Sequence, residues 1–453
     1  MAGALVVGLG GGVGLRQPGG GAGGAGGAGG AGGGPEESPA PKAADPGPKP
    51  PAIPARDPRL GEVKHAEKRL KILVLGGTVF LGPHCVEYAV ARGHEVTLFN
   101  RQKTNPAMFS ELARLKGDRN NDVASLKAAV EKGARWDAVI DTSAMFPRHI
   151  KLTGEVLREA ATRYLLVSTI NAYKGNTVEN EDEDGPLGDA LVEDGKEENL
   201  ENYGPYKVLC EREVAGMFPG RWAAVRPALI VGPRDPSDRF TYWPVRLRDA
   251  VGDRSEVLVP GPKDQTVQFI DVRDLARFIV TLLEREKVGA HNGVGPCEAM
   301  TMERMVTEVA QGAGRKIGEG GASLKWAEPE ALLGQGVKPW SDLPVWVPQL
   351  PGYEAMHKRS NARSLAAGLV CRPLAETSRD LLEWFPRELE RRRITTPWVK
   401  QQALFEGRPE PKMPDPMVSR AGLTAERERA VLAALREGAA PAPAAPEGEP
   451  IKT

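Results

Sequence analysis

The chain has no surplus of charge. Its 60 Lys and Arg balance 60 Asp and Glu, which removes the electrostatic footprint of a protein built mainly to bind nucleic acid. Cysteine is scarce: Cys85, Cys210, Cys297 and Cys371 stand far apart with no CxxC pair, so neither a zinc site nor a disulfide framework is expected, no metal site is assigned, and a reducing, cytoplasmic setting fits best. Long apolar runs are missing as well. No stretch of roughly 18 consecutive apolar residues occurs, which argues against a membrane span, and the apolar opening "MAGALVVGLGGG" lacks the basic start of a secretory signal and is diluted by glycine.

Large apolar side chains are also few at both ends. Residues 1–68 carry a Gly/Ala run and then a Pro-rich run, too poor in apolar bulk to offset the entropy of ordering, and residues 404–453, ending "EGAAPAPAAPEGEPIKT", read as a largely disordered tail. An acidic insert at 178–202, "VENEDEDGPLGDALVEDGKEENLEN", has the charge density of a solvated loop.

Between these ends the text alternates. "KILVLG" is a continuous apolar run that stops at glycine, as a strand covered on both faces does; "PHCVEYAVARG" follows with Val86, Ala89 and Val90 on one helical face. The rhythm recurs through "HEVTLFN", "DVASLKAAVEKG", "WDAVIDTSA", "YLLVST", "YGPYKVLCEREVAGMF" and "WAAVRPALIVG". The expected class is α/β: a Rossmann doubly wound parallel sheet over 69–232, to which 264–285 returns, with a smaller C-terminal substrate lobe from 233–263 and 286–395.

The turn after the first strand reads "GGTVFLG". Gly76, Val79 and Gly82 fall on the spacing GxxGxxG, where the first glycine makes the turn, the second admits the pyrophosphate and the third lets helix and strand pack. Val79 therefore either points away at little cost or pushes the pyrophosphate outward. Gly76, Gly77, Thr78, Val79, Phe80, Leu81 and Gly82 are the expected cofactor cradle, with Thr142 at the end of the strand "WDAVIDTSA". At the end of the second strand, where an acid would hold the adenosine ribose, stand Asn100 and Arg101; an arginine there leans the choice between NAD and NADP slightly toward NADP. Asp118 is a candidate partner for the adenine amino group or a helix cap.

Tyr203 and Lys207 are four apart on a predicted helix and share a face. A neighbouring ammonium lowers a tyrosine's pKa, so the pair can exchange a proton with a substrate hydroxyl while hydride moves to or from nicotinamide. Thr169, at the end of "YLLVST", supplies a hydroxyl to orient the substrate oxygen; the competing reading bonds it to backbone. Arg234 and Arg239 could pair with substrate phosphates, and Trp340, with Trp346 in "PWSDLPVWVP", could cover the substrate cleft or pack in a core.

Taken together, "GGTVFLG", "GD" at 117–118, "STINAY", "YGPYK", "RPALIVGPRD" and "QFIDVRDLA" resemble an extended, atypical short-chain dehydrogenase/reductase of the NAD-dependent epimerase/dehydratase family, nearest the branch of the chloroplast stem-loop-binding proteins. The resemblance implies Thr169, Tyr203 and Lys207 as catalytic residues, a nicotinamide cofactor also held by Lys207, and a homodimer. It places Arg226 and Pro227 on the "RP" motif, and Asp271 and Asp274 on the segment that closes the fold. The activity it implies is NAD(P)-dependent epimerisation or reduction at a hydroxyl or keto group of a sugar nucleotide or similar small molecule. Dehydratase members follow the catalytic Thr with Asp-Glu, whereas this chain has Ile170-Asn171, which argues against dehydration. The alternative is a non-catalytic cofactor-binding or RNA-binding regulatory protein.

Overall fold

The computed structural model describes residues 57–189 and 202–438. The first half alternates strand and helix: β1 (Lys71–Leu75), α1 (Leu81–Ala91), β2 (Glu95–Asn100), β3 (Ala113–Lys116), α2 (Ala124–Glu131), β4 (Trp136–Asp141), α3 (Pro147–Leu157), β5 (Ala161–Val167), α4 (Tyr203–Met217) and β6 (Trp222–Pro227). Then follow β7 (Leu229–Val231), α5 (Tyr242–Arg248), β8 (Glu256–Pro260), β9 (Phe269–Asp271), α6 (Val272–Glu284), β10 (Gly289–Gly293), α7 (Met302–Gly312), β11 (Ser323–Ala327), α8 (Pro329–Gly334), α9 (Ala362–Ala367), α10 (Leu374–Phe405) and α11 (Ala425–Glu437).

Seven strands make the main sheet in the order β10-β6-β5-β4-β1-β2-β3, every neighbouring pair parallel. The period of two divides the apolar residues between its faces: Ile72 and Val74 pack with α1 and α6 on one side, Leu73 and Leu75 with Ile150 of α3 and Val214 of α4 on the other. The strand order reverses direction between β1 and β4, and a doubly wound sheet opens its ligand crevice at the carboxyl ends of the strands flanking such a point.

The doubly wound parallel sheet stands as expected, and α6, within the segment 264–285, packs in one core with β1 and α1, but several boundaries differ. β10 belongs to the main sheet beside β6, although 289–293 was assigned to the lobe. Its sequence, "GAHNG", contains no apolar run to read. The unfolded segment expected over 1–68 gives way to structure by Asp57, which caps a 3-10 turn over Pro58–Glu62 and meets Arg372; residues 1–56 lie outside the described residues. The tail expected from 404 contains α11, whose Val431 and Leu432 join the lobe core of Phe240, Trp243, Trp346 and Leu381. Cys297 and Cys371 are joined in a disulfide with Cα atoms 5.6 Å apart, contrary to the reading of their spacing.

The acidic insert is not a free loop over its described part. Glu181 meets Arg359, Glu183 and Asp184 meet Arg363, and Asn180 N–H donates to Lys358 O at 2.7 Å, so opposite charge from the lobe pins 179–184 down. Residues 190–201 of that insert lie outside the described residues. The motif acids also act structurally. Asp271 caps α6 and pairs with Arg273, while Asp274 pairs with Arg372, which fastens α6 to the start of α10. No helix among the described residues is long and apolar enough to cross a membrane.

Glu428 of α11 shows why the C-terminal helix matters. It is buried, accepts from Arg246 Nε at 2.5 Å and from Leu258 N–H at 3.0 Å. Removing it leaves the Arg246 guanidinium charged and unpaired in the core, and breaking a buried pair from one side costs about 3–5 kcal/mol. Glu428→Ala is expected to lower unfolding free energy by about that amount in chemical denaturation; an unchanged midpoint would show that α11 does not pack as described.

Candidate active site

The turn after β1 is made by two glycines in the left-handed region, Gly76 (φ 106°) and Gly77 (φ 90°). A Cβ on Gly82 would lie 2.7 Å from Gly77 Cα, so only glycine lets α1 approach β1 this closely. Val79 does not disturb this arrangement. The strained residue of the turn is Phe80 (φ 46°), and the Val79 side chain, 53% exposed, stands at the rim. Its carbonyl accepts from Gly82 N–H at 3.1 Å. The N-cap of α1 makes no side-chain hydrogen bond, which leaves first-turn N–H groups for an anionic ligand.

A cleft of about 310 Å³ opens here, lined by Gly76 to Val79, Asn100 to Thr104, Gly117 to Asn120, Thr142, Ser143 and His149. Asn100, expected to touch the cofactor, braces the turn: its Nδ2 donates to Gly76 O at 2.8 Å and its Oδ1 accepts from Gln102 N–H at 3.0 Å. Asn105 Nδ2 does the same to Thr78 O at 2.8 Å. Arg101 is exposed on the wall. Asp118 lines the opposite side, and its Oδ1 accepts from Asn120 N–H and Nδ2 at 3.0 and 2.7 Å. Burial raises the Asp118 pKa, but the two Asn120 hydrogen bonds and the charges of Arg101 and Lys103 prevail and hold it below its ordinary value.

Beneath the cleft lies an ion pair that motif reading missed. Arg119 forks onto Asp141 at 2.6 and 2.7 Å, and Tyr164 OH donates to Asp141 Oδ2 at 2.6 Å. Asp141 Oδ1 also accepts from Ser143 and Ala144 N–H at 3.0 and 3.1 Å. Burial opposes its charge, yet Arg119 and these donors keep the carboxyl below its ordinary pKa. The signal was present: an apolar strand ending in Asp141 demands a partner for a carboxylate at the sheet edge. Thr142 lines the cleft, with its hydroxyl donating to Leu75 O at 3.2 Å.

The residues chosen for chemistry converge on the carboxyl ends of β4 and β5. Lys207 is buried on α4, and its Nζ donates to Ala144 O at 2.8 Å and Val167 O at 2.5 Å. Thr169 ends β5 and caps a 3-10 turn over Ile170–Ala172, its Oγ1 accepting from Asn171 N–H at 3.2 Å. The backbone reading of that hydroxyl is thus satisfied, with the O–H proton still available to donate. Gly204 has no room for a methyl against Asn171 O, so the first turn of α4 sits on the Thr169 turn. Tyr203, half-buried, opens that helix one turn before Lys207. Tyr206 is buried, edge-on to Phe146 at 5.1 Å.

A sheet edge built this way has relatives. Residues 72–295 match the model of the NAD dependent epimerase/dehydratase family. This segment belongs to that family. Among curated proteins, the bovine "Epimerase family protein SDR39U1" is 26% identical over 262 residues, covering 54% of this chain and 81% of that one. The Arabidopsis thaliana "Chloroplast stem-loop binding protein of 41 kDa b" is 26% identical over 236 residues, covering 49% of this chain and 57% of that one. A crystal structure of UDP-glucose 4-epimerase shares the fold at TM-score 0.50 and 16% identity, with 70% of this chain and 98% of that chain covered. The UDP-Glc/GlcNAc 4-epimerase of Campylobacter jejuni does so at 0.50 and 15%, covering 70% and 99%.

Beyond the family domain's glycine turn, the lobe residues expected to meet substrate fare unequally. Arg234 is committed to Glu87 of α1 at 2.8 Å, both side chains buried, and does not stand free for a phosphate. Arg239 stacks over Trp340 at 5.4 Å and hydrogen-bonds to Ser237. Trp340 and Trp346 belong to the lobe core, so the segment is packed rather than a cover over the cleft. A buried chain the motifs did not show runs behind the site: Ser168 bonds to Glu211, Arg226 forks onto Glu211 and reaches Glu183 O, and Tyr173 OH donates to Asn292 Oδ1 at 2.7 Å.

His149 tests the electrostatics of the cleft. Its Nδ1 accepts from Met145 N–H at 3.2 Å, so Nε2 carries the proton and donates to Asn120 Oδ1 at 3.0 Å. Burial, then the charges of Arg119 and Arg148, push its pKa from 6.5 to about 3. Protonation therefore favours the unfolded chain, and this histidine's contribution to stability is lost as pH falls from 6.5 toward about 3. Ring NMR is expected to show no His149 titration above about pH 5; a midpoint near 6.5 contradicts the buried, arginine-flanked ring.

Proposed function

We propose that the chain is a nicotinamide-dependent enzyme of the epimerase or reductase kind, acting on a hydroxyl or keto carbon of a sugar nucleotide or a similar hydroxylated molecule. The observation that carries this reading is the placement of Lys207 at the carboxyl edge between β4 and β5, one helical turn behind Tyr203.

The residues fit a dinucleotide. Gly76 and Gly77 make a tight turn that lines the cleft, Gly82 lets α1 pack against it, and the cleft's volume is in the range of small-molecule sites. When bound, the nicotinamide supplies a hydride acceptor or donor. The chain's own residues handle the proton. Tyr203 would hold or release it at its phenolic oxygen, and the Lys207 ammonium, fixed by two carbonyls, stands one helical turn behind it. Two of the three Lys207 N–H donors are used, leaving one for a ribose hydroxyl. Thr169 keeps its O–H for the substrate oxygen because only its lone pair is engaged by Asn171 N–H.

The retained Thr169, Tyr203 and Lys207, together with balanced charge, favour catalysis over an RNA-binding role. Tyr203→Phe is expected to lower turnover by about 10²–10⁴-fold while leaving dinucleotide affinity unchanged. The assay follows UDP-sugars by NMR for inversion and carbonyl substrates by nicotinamide absorbance. Full turnover in the variant removes Tyr203 as the base.

A further inference from the structure

We infer that the second lobe carries a binding site for a small phosphorylated molecule, built by Arg246 of α5, Arg254 ahead of β8, and Arg429 and Arg436 of α11. It shares no lining residue with the glycine-turn cleft.

The site starts from a buried donor with nothing to bond. Arg246 is 4% exposed, and two sides of its guanidinium are fixed: Nε donates to Glu428 Oε2 at 2.5 Å, and Nη2 donates to Arg254 O at 3.0 Å and to Glu256 O. Its Nη1 has no hydrogen-bond partner among the described residues. A buried charged donor left unsatisfied is costly, so Nη1 calls for an acceptor from outside the fold. Arg246 lines a cavity of about 220 Å³ whose other walls come from residues 253–256 and from α11. The α11 residues Ala425, Glu428, Arg429, Leu432 and Arg436 repeat every three or four positions, so they form one face of that helix.

Four arginines and three carboxylates line this space, and the carboxylates are already answered or screened. Glu428 accepts from Arg246 and from Leu258 N–H, while Glu256 meets Lys325 at 3.2 Å and also Arg436. Asp253 is exposed, where water screens its charge. Arg254 keeps a loose pair with Asp249 at 3.7 Å, which Asp249 shares with Arg248 at 2.8 Å. Arg429 is exposed, its Nε donates to Ala425 O at 3.3 Å, and it meets no carboxylate among the described residues.

The arrangement selects the ligand's chemistry. One guanidinium fork satisfies a planar carboxylate, whereas arginines from three separate segments suit a tetrahedral group with oxygens in several directions. The volume of about 220 Å³ is below the roughly 300–1,000 Å³ of sites for drug-sized ligands, so the rest of the molecule is small. Ala425 and Leu432 are the apolar part of the lining, which makes it polar as well. A phosphoryl group here joins α11 to α5 and to the start of β8, so binding also holds the C-terminal helix on the lobe.

Titration calorimetry of the full chain with inorganic phosphate, glycerol 3-phosphate and malonate, at an ionic strength held constant with sodium chloride, tests the site. Both phosphates are expected to bind saturably and at least about tenfold more tightly than malonate, a tenfold ratio being about 1.4 kcal/mol. Phosphate should also raise the unfolding temperature. Arg429→Ala and Arg254→Ala change side chains outside the core; each is expected to weaken phosphate by about tenfold or more, with thermal unfolding of the free protein unchanged. Phosphate affinity that is equal in the wild type and Arg429→Ala places the anion elsewhere, the glycine turn included, and overturns the site, as does the absence of saturable heat. Malonate binding as tightly as phosphate overturns the phosphoryl assignment.

Discussion

One close approach sets the rest of this molecule. With hydrogen in place of a side chain, Gly82 lets the first turn of α1 rest against Gly77, and this fixes where the helix begins. Helix start, turn and strand end then share a geometry in which positive φ falls on Gly76, Gly77 and Phe80, so Val79 needs none. A β-branched residue at the middle position is tolerated because the strain lies on its neighbour and its side chain has a way out to solvent. Asn100 and Asn105 hold the carbonyls of that same turn, so the β2 loop inherits its position.

A second constraint works along the opposite side of the crevice. Carboxylates at the sheet edge are buried and must be matched. Asp141 is matched by Arg119, Tyr164 and two backbone N–H groups, and Glu211 by Arg226 and Ser168. These partners come from distant segments, which draws the loop after β3, the ends of β4, β5 and β6, and helix α4 into one rigid rim. Lys207 reaches the same rim from behind. The arrangement sets the Lys207 ammonium and the Thr169 hydroxyl along one edge with Tyr203 one helical turn before Lys207, and the glycine-turn cleft, which none of the three lines, opens at the reversal of strand order.

Much of this was legible because parallel strands covered on both faces read as unbroken apolar runs, and "KILVL", "WDAVID" and "YLLV" do so. That Tyr203 and Lys207 share the start of one helix was legible for an equally local reason, since a spacing of four places two residues on one helical face. What escaped depends on partners far away in the chain. Glu181 and Glu183 look like solvated charge until Arg359 and Arg363 arrive about 180 residues later. The Cys297–Cys371 bond spans 74 residues and cannot be inferred from spacing. β10 has only "GAHNG", whose pairing with β6 is a backbone matter. α11 carried a readable signal in Val431 and Leu432, but the Pro-rich text before it suggested that the fold had already ended.

The most direct test of the account is a crystal structure of the chain grown with a nicotinamide dinucleotide. The account predicts pyrophosphate density on the backbone N–H groups between Gly77 and Leu81, the adenosine end between Arg101 and Asn120, and the nicotinamide ring turned toward Tyr203 and Lys207. Density anywhere else, or a cleft in which the Val79 side chain has swung inward to occupy the pyrophosphate position, would contradict it.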